Sequence, residues 1–292
     1  MTDTIAARYF TTGDDGLTDA QRVAFGEDGY LLIENFSTPE MCDRLIDRAN
    51  NLVDGFDATT HRTIFSTQSV THAADRYFQE SGDGIRFFLE EEAVDAAGNL
   101  SRPKRLAVNK IGHAMHDLDP VFSDFSRQRR LAALAKDLFK DPLLLQSMYI
   151  FKQPGIGGEV SWHQDCTYLY TEPLSCIGFW FALEDADSGN GGMMAMPGAH
   201  RGPLRKRFRR HGTSGPVIET IDDTPWPDRP AVALDARKGS LIVLHGLIPH
   251  FSSVNRSTRS RHAYTLHCID GTSDYPADNW LKRGPHLPLR GF

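Results

Sequence analysis

The segment that decides the fold is strand-like and reads Leu144-Leu145-Gln146-Ser147-Met148-Tyr149-Ile150-Phe151. A glycine turn, Pro154-Gly155-Ile156-Gly157-Gly158, follows it and leads into a second extended segment, Ser161-Trp162-His163-Gln164-Asp165. Because side chains alternate along a strand, His163 and Asp165 are predicted to point to the same face. An imidazole and a carboxylate side by side are two of the three ligands of a facial triad for non-haem Fe(II), which needs one more histidine and leaves positions open.

Further short strand-like segments lie downstream of this pair, at about residues 176–183, 231–234, 240–245 and 263–268. Helical patterns precede it, at about residues 19–29, 37–53 and 127–139. Short strands with helices gathered near the N-terminus predict a mainly β protein, a double-sheet jelly roll with flanking helices. The absence of an alternating βαβ pattern argues against a Rossmann fold. The glycines of residues 154–158 join strand to strand, which argues against a phosphate loop.

The N-terminal third is interpreted as helices around single strands. Residues 1–20, which are polar and rich in Thr and Asp, are predicted to form a loose arm or an initial helix. A strand over residues 29–36 precedes Ser37, which is predicted to cap a helix that runs to about Val53. A further strand is predicted at residues 85–90.

Length and composition narrow the class of protein. The chain has 292 residues, a hydrophobic fraction of 40% and a formal net charge of -6. We expect one domain over residues 1–292, with helical N-terminal elements (about 1–142) packed on a jelly-roll core (about 143–270). The acidic balance gives no indication of nucleic-acid binding, and no run reaches the roughly 18 apolar residues of a membrane helix.

The N-terminus does not resemble a secretory signal, and the four cysteines are far apart, which is typical of reduced thiols in a cytosolic protein. A cytoplasmic location is therefore expected. The sequence carries no signal for an oligomeric state.

The third ligand of the triad has two candidates, His245 and His250. An arginine lies 11 residues beyond each histidine, Arg256 in the first case and Arg261 in the second. Arg261 opens a predicted strand, where a guanidinium would be well held, whereas Arg256 lies in an Asn-Arg-Ser turn and is expected to be solvated. This difference favours His250 with Arg261, but the spacing leaves the other pair open.

A set of short motifs occurs in order between residues 109 and 281: Asn109-Lys110-Ile111-Gly112-His113, Gln146-Ser147-Met148-Tyr149-Ile150-Phe151-Lys152-Gln153-Pro154, His163-Gln164-Asp165, Tyr170-Thr171-Glu172-Pro173-Leu174, Pro197-Gly198-Ala199-His200, His245-Gly246-x-x-x-His250-x-Ser252-x-x-Asn255, Ser260-Arg261-x-Ala263-Tyr264 and Asn279-Trp280-Leu281. In this set the chain resembles the phytanoyl-CoA dioxygenase family of Fe(II)/2-oxoglutarate oxygenases. It is most similar to the branch named phytanoyl-CoA dioxygenase domain-containing proteins. A weaker match extends from about residue 25.

The resemblance implies a double-stranded β-helix (a cupin-like jelly roll) with Fe(II) held by His163, Asp165 and His250, so it decides between the two third-ligand candidates. It implies that the planar fork of Arg261 binds the far carboxylate of 2-oxoglutarate. Four further residues match positions that line the co-substrate pocket: Lys110, Met148, Trp180 and Ser252.

The implied activity is decarboxylation of 2-oxoglutarate to succinate, with O2 as the second co-substrate, coupled to hydroxylation or a related C–H oxidation of a small organic substrate. Halogenating relatives carry a small residue at the position of Asp165, so a carboxylate there favours oxidation. The two alternatives are an acyl-CoA 2-hydroxylase and a non-catalytic jelly-roll binding protein.

Two departures from the family pattern bear on the substrate. Trp162 stands where relatives often have proline, and the segment Arg201–Arg210 is unusually basic. We predict a solvated loop for this basic segment, and the alternative is a grip on an anionic substrate group.

The remaining histidines are interpreted without a ligand role in the triad. His113 and His116 are expected to line the pocket or pack, with a second metal site as the alternative, and His200 is expected to cap a turn. His245 is interpreted as a residue that supports the ligands or lies in the core, and His267 as a core residue.

Overall fold

The structure is a computed structural model that describes residues 7–11, 15–65, 76–212 and 216–292. Fifteen strands run through these residues: β1 Tyr9–Thr11, β2 Tyr30–Glu34, β3 Ile64–Phe65, β4 Ile85–Glu90, β5 Val108–His113, β6 Pro142–Ile150, β7 Val160–His163, β8 Ile177–Ala182, β9 Met193–Ala195, β10 Lys206–Arg210, β11 Pro216–Thr220, β12 Val232–Leu234, β13 Leu241–His245, β14 His250–Ser252 and β15 Ala263–Asp270. The α-helices of the same residues are α1 Asp19–Asp28, α2 Pro39–Gly55, α3 Arg76–Gln79, α4 Met115–Leu118, α5 Pro120–Ser126 and α6 Arg129–Leu138.

The strands form two principal sheets. The large sheet has nine strands in the order β1-β2-β13-β8-β15-β6-β5-β4-β3, and the small sheet has four in the order β12-β9-β14-β7. Most neighbours are antiparallel, and β10 and β11 form a separate hairpin. The prediction of a mainly β jelly roll with flanking helices is confirmed.

Strand β2 shows how the two sides of the large sheet are used. Leu31 and Ile33 belong to the apolar cluster that also contains residues of α2 and α6. Tyr30 and Leu32 belong to a second cluster that includes residues of the small sheet. Since side chains alternate along a strand, β2 is buried on both faces, which explains why its sequence is a continuous apolar run.

The N-terminal portion adds more strand than the sequence predicted. Residues 9–11 form β1, which pairs with β2 in parallel, so the prediction of a loose arm or helix is wrong there; residues 1–6 and 12–14 lie outside the described part. The helix predicted after Ser37 is present, but its cap is Thr38, whose hydroxyl accepts a hydrogen bond from the amide of Met41. Ser37 instead donates its amide to the carbonyl of Gly239, 2.9 Å away.

The basic segment of residues 201–210 is only partly a loop. Its second half is β10, which pairs with β11 and buries Phe208. Arg207 and Arg209 are held by acidic residues, Arg207 by Asp278 and Arg209 by Glu219 and Asp278. The prediction of a solvated loop is therefore wrong for the strand, because charge pairing allows a run of arginines to lie in a hairpin.

None of the described helices has the length and apolar character needed to cross a membrane.

Candidate active site

Two paired strands of the small sheet bring together His163, Asp165 and His250. His163 is the last residue of β7, His250 is the first of β14, and the two are directly opposite in the ladder. Asp165 begins a short 3-10 turn that follows β7. The Nε2 atoms of both histidines lie 3.6 Å from Oδ1 of Asp165, and the three ligand atoms lie within 4.8 Å of one another.

Backbone carbonyls orient both imidazoles. Nδ1 of His163 lies 2.8 Å from the carbonyl of Ser161, and Nδ1 of His250 lies 3.1 Å from that of Ile248. A ring N–H that donates to such a carbonyl leaves Nε2 as a lone-pair donor. Both Nε2 atoms therefore face the centre of the cluster as metal ligands.

The charge of the cluster matches a divalent cation. Asp165 is 7% exposed, and its Oδ2 has no hydrogen-bond partner among the described residues. Burial acts to raise the pKa of Asp165, but His250 and His267 bring that pKa well below its ordinary value. Burial lowers the pKa of His250 to about 4. A carboxylate beside a neutral imidazole is the protonation state that a metal ion requires, so Asp165 and His250 fit Fe(II).

Arg261 adds a positive charge to the cavity that the three candidate ligands line. The residue is 2% exposed, its Nε has no hydrogen-bond partner, and its Nη2 lies 3.5 Å from Oγ of Ser252. Burial lowers the pKa of Arg261 to about 10, so the guanidinium stays charged at neutral pH. Within the described residues it forms no ion pair with a carboxylate. A buried cation of this kind is costly unless an anion joins it.

A cavity of about 610 Å³ contains all eight residues that the sequence proposed for the site. Lys110 lies in it with its Nζ 3.1 Å from the ring centroid of Phe65, and burial lowers the pKa of Lys110 to about 7. The ring of Trp180 lies 5.2 Å from the guanidinium of Arg261. Ser252 donates its hydroxyl to the carbonyl of Gly191 at 3.0 Å.

Strand register explains why residues distant in sequence share this cavity. Thr265 of β15 is opposite Met148 of β6 on one side and Trp180 of β8 on the other. Residues opposite one another in a sheet point to the same face. The three side chains therefore form one row across the large sheet, facing the metal ligands of the small sheet.

The alternative ligand pair is not assembled. The ring of His245 packs against Phe25 and His200 at centroid distances of 6.1 and 5.0 Å. Arg256 forms a surface ion pair with Glu92 at 2.6 Å. Of the two candidate pairs, His250 and Arg261 line the active-site cavity, whereas His245 and Arg256 do not.

His267 is a site residue that the sequence interpretation missed. It lines the cavity, and its Nε2 lies 3.4 Å from Oδ2 of Asp165. Gly178 leaves room for this contact, because a Cβ there would come within 3.0 Å of the same Oδ2. Alternation along the strand could have predicted this position. His267 is separated from Thr265 and from Arg261 by an even number of residues, so all three side chains are expected on one face.

Aromatic rings make up part of the cavity wall. Trp162 stacks on Phe251 with centroids 5.4 Å apart, and both line the cavity. Three buried rings form a second aromatic group in the wall, in which Phe78 stacks on Trp280 at 4.6 Å and Phe208 lies 5.8 Å from Trp280. These aromatic surfaces are suited to a largely apolar organic molecule.

Comparison with known proteins agrees with this geometry. The family model described as Phytanoyl-CoA dioxygenase (PhyH) matches residues 25–263. A relative from Arabidopsis thaliana named phytanoyl-CoA dioxygenase is 43% identical over 269 residues, which are 91% of this chain and 94% of the relative. Phytanoyl-CoA dioxygenase domain-containing protein 1 of Mus musculus is 42% identical over 283 residues, which are 94% of this chain and 97% of the relative.

Solved structures agree on the fold. The non-haem α-ketoglutarate-dependent carbocyclase SnoK from nogalamycin biosynthesis matches with a TM-score of 0.65 at 17% identity, covering 96% of this chain and 98% of SnoK. The epimerase SnoN, solved with Fe3+, α-ketoglutarate and nogalamycin RO, matches with a TM-score of 0.62 at 15% identity, covering 93% of this chain and 97% of SnoN. From the family model and the full-length relatives, the chain belongs to the phytanoyl-CoA dioxygenase family of iron- and 2-oxoglutarate-dependent oxygenases.

Proposed function

We propose that this protein couples decarboxylation of 2-oxoglutarate to succinate with hydroxylation, or a related C–H oxidation, of a small organic substrate. The observation that carries the proposal is that a candidate metal site and an unpaired buried guanidinium line the same cavity. Three metal-ligating side chains lie in the same cavity as Arg261, a buried guanidinium with no carboxylate partner among the described residues. A dicarboxylate chelated at one end and held at the other would satisfy both.

Each residue then has a role. His163, Asp165 and His250 would hold Fe(II) from one side, and the iron supplies the means to activate oxygen when 2-oxoglutarate is bound. Arg261 would bind the far carboxylate through its planar guanidinium group, whose paired donors lysine lacks. Four residues complete the co-substrate pocket: Lys110, Met148, Trp180 and Ser252.

Asp165 also bears on the reaction outcome. Its carboxylate occupies a ligand position that a halogenase would need for chloride, so we propose oxidation of the substrate. Nε2 of His267 lies 3.4 Å from the other carboxylate oxygen, and we propose that this neighbour helps to keep Oδ1 directed at the two histidines.

The substrate is proposed to be a small organic molecule that lies against the aromatic surfaces of the cavity. The acyl-CoA alternative would place the anionic CoA group on the basic segment. Arg205, Arg207 and Arg209 are paired with Asp222, Asp278 and Glu219, so these three arginines do not support it. The non-catalytic alternative leaves unexplained why an intact triad and Arg261 share one cavity.

We also propose that residues 1–292 form one domain, with N-terminal elements of about 1–142 packed on a core of about 143–270. In support, β1 to β5 lie in the same sheet as β6, β8, β13 and β15. A cytoplasmic location remains a prediction, supported by the four cysteines, which are free and buried.

The test is succinate formation in air with Fe(II), 2-oxoglutarate and a panel of candidate metabolites. We expect His250→Ala to reduce succinate release to background, whereas His245→Ala, five residues away and outside the cavity, should retain it. Thermal unfolding checks that both variants fold. Equal activity of the folded variants, or no succinate from wild type with any metabolite, would contradict the proposal.

A further inference from the structure

A second cavity, of about 330 Å³, lies beside the active-site cavity. Three residues, Gln164, Arg205 and Trp226, line both cavities. In the sequence, Gln164 lies between the proposed iron ligands His163 and Asp165. Because Gln164 also lines the second cavity, this cavity adjoins the segment that carries two of the ligands. Its lining includes three arginines and no acidic residue.

Two of those arginines lack a compensating charge. Arg205 is paired with Asp222, but Arg201 and Arg229 form no ion pair within the part of the chain that the structure describes. Arg201 donates from Nη2 to the carbonyl of Gly26 at 2.9 Å, and Arg229 donates from Nη1 to the carbonyl of Pro197 at 2.7 Å. A guanidinium has five N–H donors, so most of the donors remain available to a ligand.

Both free guanidinium groups converge on Gly198. A Cβ built at this glycine, whose φ is +72°, would lie 3.1 Å from Nη1 of Arg229 and 3.6 Å from Nη1 of Arg201. The carboxylates of Glu27 and Asp28, whose helix end packs against this glycine, are engaged by Arg8. Both side chains are exposed, so water screens most of their mutual repulsion, and an anion between them would accept hydrogen bonds from both.

We propose that the cavity around Arg201, Arg229 and Trp226 binds an anionic group of a small molecule, such as a phosphate, sulfate or carboxylate. The planar guanidinium forks suit the oxygens of such a group, and Trp226 provides an apolar wall for the atoms attached to it. The anion is either free in solution or part of the substrate, and only the second case rests on the proposed function.

The test is calorimetric titration of the purified full-length protein with inorganic phosphate, carried out without added 2-oxoglutarate, which is itself a carboxylate anion, and repeated after 2-oxoglutarate and Fe(II) are added. We expect saturable binding to wild type and a loss of roughly tenfold or more in affinity for the Arg201→Gln/Arg229→Gln double variant, because charge-assisted hydrogen bonds are removed. Arg62→Gln is the matched control, since Arg62 also donates to backbone carbonyls but lies outside the cavity. The single variants serve if the double variant does not fold.

No saturable binding by wild type, or equal affinity in the folded double variant, would overturn the proposal. A second arm identifies the source of the anion by comparing succinate release with phosphate-bearing compounds and their dephosphorylated forms. Competition by free phosphate against a phosphate-bearing compound assigns the site to the substrate, whereas binding of phosphate without effect on any turnover assigns it to a free anion. Since calorimetry does not depend on turnover, failure of the anion site is distinguishable from failure of the proposed oxygenase activity.

Discussion

Two buried carboxylates of this protein lie in opposite electrostatic surroundings. Asp117, whose side chain is 0% exposed, is contacted by three guanidinium groups, those of Arg127, Arg283 and Arg290. Among the described residues, the charged or titratable groups that lie against the oxygens of Asp165 are imidazoles, whose nitrogens are 3.4–3.6 Å away. Arginines of the protein compensate the charge of Asp117, whereas in the described part of the chain no guanidinium or ammonium group contacts Asp165. This difference separates a structural charge cluster from a ligand-binding one.

The arginine-rich cluster joins distant parts of the chain. Arg127 follows α5, and Arg283 and Arg290 belong to the C-terminal segment. Through Asp117 in α4, these contacts fix the segment that carries Trp280, a residue of the active-site cavity. Charge pairing at one site therefore shapes the wall of the other.

The largest expected effect is that of Asp165→Asn on activity. The substitution keeps the shape of the side chain but removes its charge, so iron binding and succinate release should fall to background. Without metal, imidazoles and no guanidinium group contact Asp165 among the described residues, so the free energy of unfolding should fall by less than it does in Asp117→Asn. Metal titration and urea unfolding in chelator measure the two quantities. A loss of stability as large as that of Asp117→Asn would show that the two carboxylates are equivalent.

Asp117→Asn should show the reverse pattern. Removing one partner of a buried ion cluster leaves its arginines uncompensated, which costs about 3–5 kcal/mol of stability. In the protein that still folds, affinity for iron should match wild type. Urea unfolding with an iron titration tests this, and a stability change within about 0.5 kcal/mol would contradict it.

The variants Arg261→Lys and Arg209→Lys compare an arginine that has no ion pair among the described residues with one that is held by acidic residues. Lysine keeps the charge but loses the fork, so KM for 2-oxoglutarate should rise roughly tenfold to a hundredfold. Arg209→Lys is the control, because Arg209 is already held by Glu219 and Asp278, and its KM should stay at the wild-type value. Steady-state succinate assays give both numbers, and an unchanged KM for Arg261→Lys would remove Arg261 from the co-substrate site.

The pH dependence of stability should report on the charge cluster at Asp117. Burial acts to raise the pKa of Asp117, but His116 and the three arginines lower it to about 2. A depressed pKa in the folded state stabilises the protein above the unfolded value of about 3.9, and this stability is lost as pH falls toward 2. Between pH 5 and pH 2.5, wild type should lose about 2 kcal/mol more than Asp117→Asn. Equal losses would mean that the cluster does not set acid stability.

The smallest effect is expected at His267. His267→Ala removes the neighbour of Asp165 Oδ2, and iron affinity should fall by about tenfold. His267→Gln, which retains a donor, should recover part of the loss. Anaerobic iron titration measures both, and identical affinities in wild type and His267→Ala would exclude a positioning role.

Local patterns in the sequence predicted much of the fold and placed two of the proposed iron ligands on one face. The apolar run of β2 and the His163-x-Asp165 spacing depend only on alternation along a strand, which neighbouring residues determine. The choice between His245 and His250 could not be made from spacing, because both lie in one apolar segment with an arginine at equal distance. Resemblance to the family, and then the packing of His245 against Phe25, separated them.

What the sequence could not predict depends on partners far along the chain. The basic segment was interpreted as a loop because Asp278, the partner of Arg207, lies 71 positions away. The sequence did not predict the charge cluster at Asp117 for the same reason, because Arg290 is 173 positions away from Asp117. Charge compensation between distant segments appears only once the strands are placed side by side.

The most direct measurement is anaerobic addition of Fe(II) and 2-oxoglutarate to the wild-type, Asp165→Asn and Asp117→Asn proteins, followed by visible absorption. A 2-oxoglutarate chelate on iron held by His163, Asp165 and His250 predicts a charge-transfer band in wild type and in folded Asp117→Asn, and no band in Asp165→Asn. Absence of the band from well-folded wild type, or its persistence in Asp165→Asn, would contradict the assignment of the iron site.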